Sequence, residues 1–473
     1  MVLAKVGEAL KSLTVEPFLF LSFFGYVVRL VSFQDLLMDR ACRNTFSYPD
    51  EICDNIKLHK VEQAKSMEVG NNLYTGVLLL TSLPAVVVII FIGPWSDKYT
   101  RRWPLIIASV GMLAESLSTT FLAINTHVPP MYFMFVSLFS GITGGFLVAM
   151  SSAASYLSDI TNPHSRASRF AVLEFFSLTA NIFGNVAGGQ IYKAYSHLPV
   201  IGLAPCFHLA ALLYAIFYLK ETKPPIDRSK LKTIFKDLFT LDNIKQSYQT
   251  CVKKRYGNIR KQIWFLIWID TSFKLVHMGT MGIGFAYAKR MYHMDVTDYS
   301  NANTIFPSIQ AIATIGLIPF LSKKLLLHEA AIGLIGILSI MSKYTLLSVA
   351  YSVPFFYAAM ISGSLSNSIT IAVRSRLSKV VPKEELGRAF SLIGTFTAIA
   401  PILGTSVFFQ IYNASIMTFP GLAYDIAAIF LAPSIIIFLW IMRLPTVSVG
   451  DYGKELESVS SKYKTLEEEP EKS

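Results

Sequence analysis

Ten ionisable residues stand inside or at the edge of long apolar runs of this chain: Arg29, Asp35, Glu115, Glu174, Asp270, Lys274, His277, Lys343, Arg374 and Asp425. An ionised side chain at the centre of a bilayer costs about 2.5–3.5 kcal/mol on insertion scales, so each needs a partner or a task. Asp270, Lys274 and His277 fall at i, i+4 and i+7 on one helix stripe. Facing a cavity, that stripe can hold an anion on Lys274 while His277 exchanges a proton. Histidine suits the work because its unperturbed pKa is about 6.5, and a buried glutamate can titrate in the same range because desolvation raises a carboxyl pKa. On this stripe Asp270 and His277 are the proton-coupling candidates, and Lys274, with Arg29 of the first run, the anion-binding ones. A structural reading stands beside this one: an Asp270–Lys274 ion pair with a passive histidine, and Arg374 snorkelling from the inner end of its run to the interface. Arg29, halfway along the first run, is too deep to snorkel and calls for an anionic substrate group or Glu174 as its partner. His208 reads as a satisfied helix-facing residue, Asp425 as interfacial, and Glu115, Lys343, Asn181, Asn185 and Gln310 as cavity lining or interhelical glue.

The elements that must position these residues are membrane helices. Of 473 residues 53% are apolar and 15% charged, with mean hydropathy +0.48, against roughly 25% charged in a soluble protein. Twelve runs approach the roughly 20 apolar residues that a helix needs to cross the hydrocarbon core: Pro17–Leu37, Leu73–Phe91, Trp103–Ile124, Met131–Leu157, Phe170–Tyr192, Val200–Leu219, Ile263–Ala288, Ala302–Leu321, Ala330–Ala350, Pro354–Val373, Ala389–Tyr412 and Leu422–Met442. The first holds Arg29 and Asp35 and has no small-residue cleavage pattern after it, so it reads as an uncleaved helix. With the amino terminus cytoplasmic, the inner segments carry 31 of the 42 Lys and Arg and the outer loops 8, which obeys the positive-inside rule and puts both termini inside. The sole Asn-x-Ser/Thr sequon, at Asn413, then falls outside as a glycosylation candidate. Cys42 and Cys53 share the first outer loop, where an oxidising compartment lets them pair. The net charge of +11 is an orientation signal with some attraction to anionic lipid, not a nucleic-acid footprint.

The chain divides into a cytoplasmic amino terminus (1–16), a six-helix bundle (17–219), a basic linker (220–262), a second six-helix bundle (263–442) and an acidic tail (443–473). The bundles repeat weakly: Pro163, Arg169, Gly184 and Gln190-Ile191-Tyr192 recur as Pro382, Arg388, Gly404 and Gln410-Ile411-Tyr412. Such a repeat lets two bundles rock about a midplane site. Gly184 and Gly188 suit close helix approach.

The loop Gly93-Pro94-Trp95-Ser96-Asp97-Lys98-Tyr99-Thr100-Arg101-Arg102 resembles the Gly-x-x-x-Asp-x-x-Gly-Arg-Arg motif of the major facilitator superfamily, with Thr100 in place of the second glycine. A closer resemblance, to the proton-coupled folate transporter family (solute carrier family 46), is carried by Val15-Glu16-Pro17, the Gly93–Arg102 loop, Ser158-Asp159 with Ser165-Arg166 and Leu173-Glu174, Val276-His277-Met278-Gly279 and Arg374-Ser375-Arg376-Leu377-Ser378-Lys379. The resemblance implies an all-α fold of twelve transmembrane helices in two pseudo-symmetric bundles, proton coupling at Glu174 and His277, substrate and proton binding at Arg374, and gating by Asp97, Arg101, Arg102 and Asp159. Two departures bear on substrate. Met131–Leu157 lacks the charged pair that folate-carrying relatives place in the fourth helix, and the loop after the seventh run lacks the family's second disulfide cysteine. Lysosomal relatives, which look like exporters of muropeptides, steroid conjugates or cyclic dinucleotides, resemble the chain as well.

No phosphate-binding glycine loop, metal-ligand cluster or Ser/His/Asp grouping stands out, so the sequence calls for no enzyme activity, cofactor, metal or ATP drive. The expectation is a secondary transporter taking a small organic anion with protons. The alternatives are a proton-independent facilitator or a non-transporting metabolite receptor, in the plasma membrane or in endosomes and lysosomes. In the tail, Tyr463-Lys464-Thr465-Leu466 fits the pattern read by sorting adaptors.

Overall fold

The computed structural model describes residues 13–161, 163–223, 258–317, 320, 327–381 and 383–444. Most of the basic linker, and the tail with Tyr463, lie outside the described residues, as does the side chain of Asp97. The described part is helical. α1 (Glu16–Arg40) begins with Glu16 and Pro17 in its first turn, where a carboxylate suits the positive end of the helix and a proline forfeits no hydrogen bond. α2 (Lys60–Tyr99) and α3 (Arg102–Ile124) follow. The fourth apolar run starts as two short helices, Tyr132–Val136 and Leu138–Ile142, and only then becomes α4 (Gly145–Ile160). The break falls at Gly144, whose φ of 82° is left-handed and whose added Cβ would run into Val148. α5 (Pro163–Tyr195) and α6 (His197–Phe217) complete the first half.

The second half holds α7 (Ile259–Tyr292), α8 (Val296–Ile312), α9 (Glu329–Ser348), α10 (Ser368–Val380), α11 (Lys383–Ser415) and α12 (Leu422–Met442). Asp295 and Asp298 form a reciprocal capping box at the start of α8, with the Asp298 N–H donating to Asp295 at 2.8 Å. A short helix, Val353–Ser362, precedes α10.

Among the described residues, seven helical segments are long and apolar enough to cross a membrane: Glu16–Thr45, Lys60–Gly93, Arg102–Ile124, Tyr132–Ile160, His197–Phe217, Glu329–Ser348 and Leu422–Met442. The other expected runs correspond to α5, α7, α8, the broken pair ending in α10, and α11. Most of these are diluted by the polar residues of a central cavity: Glu174 and Asn181 on α5, His277 on α7, and Asn303 and Gln310 on α8.

The internal repeat has a packing counterpart. α1 lies on α5 and α7 lies on α11. A Cβ on Gly188 would strike the Val28 carbonyl, and one on Gly404 would strike the Leu275 carbonyl and approach the Gly279 nitrogen at 3.2 Å. The glycines let each helix pair close backbone to backbone.

The two halves meet at the end that carries the Cys42–Cys53 disulfide. There Lys289 of α7 pairs with Asp35 of α1, which also accepts from the Tyr192 hydroxyl at 3.1 Å and lies 3.6 Å from His197 Nε2. Arg290 donates to Gln63 at 2.9 Å, Thr297 to the Gly189 carbonyl at 2.9 Å, Asn71 to Asn413 at 3.0 Å, and Asn413 in turn to Asn72 at 3.1 Å. Tyr74 and Phe409 meet edge to face at 5.9 Å. At the opposite, linker end the first half keeps its own core of Phe18, Leu19, Leu105, Tyr156 and Leu173. The halves close against each other at the disulfide end.

Candidate substrate and proton site

Between the halves lies a cavity of about 370 Å³, within the range of small-ligand sites. α5 contributes Glu174, Asn181 and Asn185, α7 contributes His277, Thr280 and Met281, and Lys343 enters from α9. Phe23, Phe306, Phe356 and Met360 make much of the remaining wall apolar. Glu174 and His277, from opposite halves, thus line one space. Glu174 is exposed, and His277 Nδ1 is buried with no hydrogen-bond partner among the described residues. Thr280 and the Tyr344 hydroxyl are hydrogen-bonded at 3.0 Å, while Gln310 donates to Ser366 at 2.8 Å and to Asn367 at 3.1 Å.

The α7 stripe does not act as one face. Asp270, 3% exposed, does not line the cavity; it accepts from the hydroxyls of Thr370 and Thr397, each at 3.2 Å. No Asp270–Lys274 ion pair forms among the described residues. The Lys274 ammonium lies 5.3 Å from the Phe273 ring centroid, in the field of Asp270, Arg374 and Glu174.

Arg29 is spent within its own half. It donates to Glu115 at 2.6 Å, both side chains being under a tenth exposed, and its guanidinium lies 5.6 Å from the Phe33 ring centroid. The pairing with Glu174 or a substrate anion expected from the sequence gives way to this one because Glu115 lies at the same depth. Arg29 is thirteen residues past Glu16 on α1, and Glu115 thirteen past Arg102 on α3. Arg374 is exposed, while two residues on Arg376 is buried and donates to Gln262 Oε1 at 2.9 and 3.0 Å and to Glu329 at 3.4 Å.

At the linker end of the first half, Arg101 grips Asp159 with two donors, at 2.8 and 3.2 Å, and Lys223 joins at 2.9 Å. Glu221 accepts from the Thr100 hydroxyl and from the Arg101 N–H at 2.8 Å. Burial pushes the Glu221 carboxyl up, but these donors and the N–H groups of Lys223 and Arg102 outweigh it and hold the carboxyl below its ordinary value. Arg102 donates to the Ala215 carbonyl at 3.1 Å and to the Ile216 carbonyl. The motif loop therefore clamps α3, α4 and the segment after α6. Glu221, Lys223, Lys289 and His197 were not singled out from the sequence. They sit at helix ends, where charges are ordinary, and only the folded geometry marks them.

Residues 64–405 match the Major Facilitator Superfamily. The chain belongs to the Major Facilitator Superfamily. Its similar proteins include the probable peptidoglycan muropeptide transporter SLC46 of Drosophila melanogaster, 21% identical over 88% of this chain and 82% of that one. The proton-coupled folate transporter of Bos taurus is 23% identical over 88% of each. The lysosomal proton-coupled steroid conjugate and bile acid symporter SLC46A3 of Homo sapiens is 23% identical over 96% of this chain and 99% of that one. These relatives support solute carrier family 46 within the superfamily. The crystal structure of the human organic anion transporter MFSD10 superposes with a TM-score of 0.61 at 14% identity, covering 90% of this chain and 97% of that one. This superfamily transporter shares its fold with that structure.

Proposed function

We propose that this transporter carries an organic anion together with protons by alternating access. The observation that carries the reading is that Glu174 of one half and His277 of the other line a single cavity sealed at the disulfide end. Two titratable groups facing one space can each hold a proton while an anion is present, and the seal decides to which side both are released. The relatives' names span folates, steroid conjugates, bile acids and muropeptides. An anionic head on a bulky body is the chemistry we carry over.

In this reading the chain crosses the membrane twelve times as two six-helix bundles, residues 17–219 and 263–442. The termini and linker are cytoplasmic and the disulfide end faces the exterior or an organelle lumen. The structure then represents the inward-open state. The Arg101–Asp159 clamp, with Arg102 and Asp97, serves the gating machinery of the inner mouth. Arg374, exposed in the open mouth, and Lys274 attract the anion, and Asp270 holds α7 against α10 and α11.

The test is uptake into vesicles of folate, a bile acid, a steroid sulfate and a muropeptide, with and without an imposed acid gradient, by wild type, His277→Ala and Glu174→Gln. Acid-stimulated flux that both variants lose or uncouple is the expected result. Saturable flux indifferent to the gradient overturns the coupling, and binding without flux overturns transport.

A further inference from the structure

Lys343 stands apart from the other cations of the interior. Arg29 is paired with Glu115, Arg376 with Glu329 and Lys289 with Asp35, and Lys274 lies in the field of two carboxylates. Lys343 lies on α9 and lines the cavity, and among the described residues no carboxylate pairs with it or acts on it. Its stem is held in place. A Cβ on Gly363 would lie 2.6 Å from Lys343 Cδ and 3.0 Å from its Cβ, so the lysine runs along the bare backbone there. Its ammonium sits 5.9 Å from the Tyr344 ring centroid, a contact that leaves most of the desolvation cost of the charge uncovered.

A cation without a counter-ion among the described residues and facing a cavity is an anion site by its chemistry. The wall around it sets the rest of the ligand. Phe306 and Met360 offer apolar surface, and Asn303 and Gln310 supply neutral polar groups. Lys343 is the one Lys or Arg among the described residues lining the cavity, so the seat balances one negative charge. A second charge on the ligand would face apolar wall or the carboxylate of Glu174.

We propose that Lys343 anchors the anionic group of the substrate, which is an amphipathic monoanion whose rigid apolar body lies against Phe306 and Met360. This rests on the transport reading and deepens it by naming the anion seat and the charge class. Arg374, exposed in the open mouth, attracts the anion before Lys343 seats it.

The experiment uses the full-length protein, purified for binding and reconstituted in vesicles for flux. The probes are cholate (one carboxylate), its uncharged carboxamide, and folate (two carboxylates). Wild type is expected to bind and carry cholate at least tenfold better than the carboxamide and better than folate. Lys343→Met is expected to lose that preference by lowering cholate to the level of the carboxamide, while Lys343→Arg keeps it and Gly363→Ala, which crowds the stem, raises the KM for cholate. Because no ion pair is lost, Lys343→Met is expected to melt at or above the wild-type temperature.

Retention of the charge preference in Lys343→Met overturns the proposal, as does a large drop in its melting temperature, which would mark a structural cation. Equal handling of cholate and carboxamide by wild type, a preference for folate, or no interaction with any probe overturns the monoanion class. Lys343-dependent binding without flux upholds the anchor and sinks transport, whereas flux independent of Lys343 does the reverse.

Discussion

The Asp35–Lys289 pair is the cross-half contact whose removal has the most readable consequence. Both side chains are largely buried, at 9% and 13% exposed, and they belong to α1 and α7, which separate if the disulfide end opens. Breaking a buried ion pair costs about 3–5 kcal/mol when the surviving charge stays uncompensated. Asp35→Asn leaves Lys289 in that position only while the end is closed, because opening returns the ammonium to water. Tyr192 and His197 belong to the same half as residue 35, so their contacts survive opening and do not bias the equilibrium. Taking the lower end of the range, about 3 kcal/mol of bias toward the open form is about 150-fold in the closed-to-open ratio. Spin labels on Val61 and Met417, exposed residues at this end of opposite halves, report the separation by pulsed dipolar spectroscopy in a Cys206→Ser, Cys251→Ser background. Wild type should give one short distance, Asp35→Asn a dominant longer one, and the exchanged pair Asp35→Lys with Lys289→Asp should restore the short one. Identical distributions in wild type and Asp35→Asn would refute the argument, since the pair would then contribute nothing to closure.

Arg29→Met should lower the melting temperature sharply, by about 3–5 kcal/mol of stability, because Glu115 is left buried and unpaired; adding Glu115→Leu should recover most of the loss. Glu221 should make the motif loop acid-sensitive. A carboxyl held below its ordinary value contributes stability that is fully present above the ordinary carboxylate range and fades as pH falls through the lowered value. Hydrogen-exchange protection of residues 96–103, corrected for the intrinsic rate at each pH, should therefore fall at acidic pH in wild type and fall less in Glu221→Gln, where Asp159 alone remains to be protonated. Gly404→Ala should destabilise by about 1–3 kcal/mol in thermal melts, as overpacking does, because its Cβ meets the Leu275 carbonyl, whereas Gly93→Ala, with nothing within 4 Å of its Cβ, should melt as wild type does. The Asn413 side chain joins the inter-half seal, and Ser415, 2% exposed, donates to the Ile411 carbonyl at 2.9 Å. Glycosidase treatment of the natively expressed protein should therefore leave its gel mobility unchanged.

What could be read from the sequence was depth and face; what could not was neighbourhood. Arg29 and Glu115 lie equally deep on helices that start at the same end, which linear counting supplies, yet only packing shows that α1 and α3 turn these residues toward each other. Asp270 and His277 share a stripe, but α7 runs for 34 residues and meets different neighbours along its length. Near Asp270 the stripe is covered by Thr370 of α10 and Thr397 of α11, and two turns on, at His277, it reaches the cavity. Arg374 and Arg376, about 200° apart around a helix, must point to different sides, and composition alone does not say which is buried. The cross-half contacts are harder still. Asp35 with Lys289 and Asn413 with Asn71 and Asn72 exist in a conformation closed at the disulfide end, so no local pattern in either half needs to anticipate them. The same reasoning bears on function. A charge with a permanent partner inside one half, such as Arg29, has no change to undergo as the halves rock. A titratable group that faces the cavity with no ion pair among the described residues, such as Glu174, His277 or Lys343, has a free energy that depends on what occupies the cavity. Only groups of that second kind can couple occupancy to the direction in which the cavity opens.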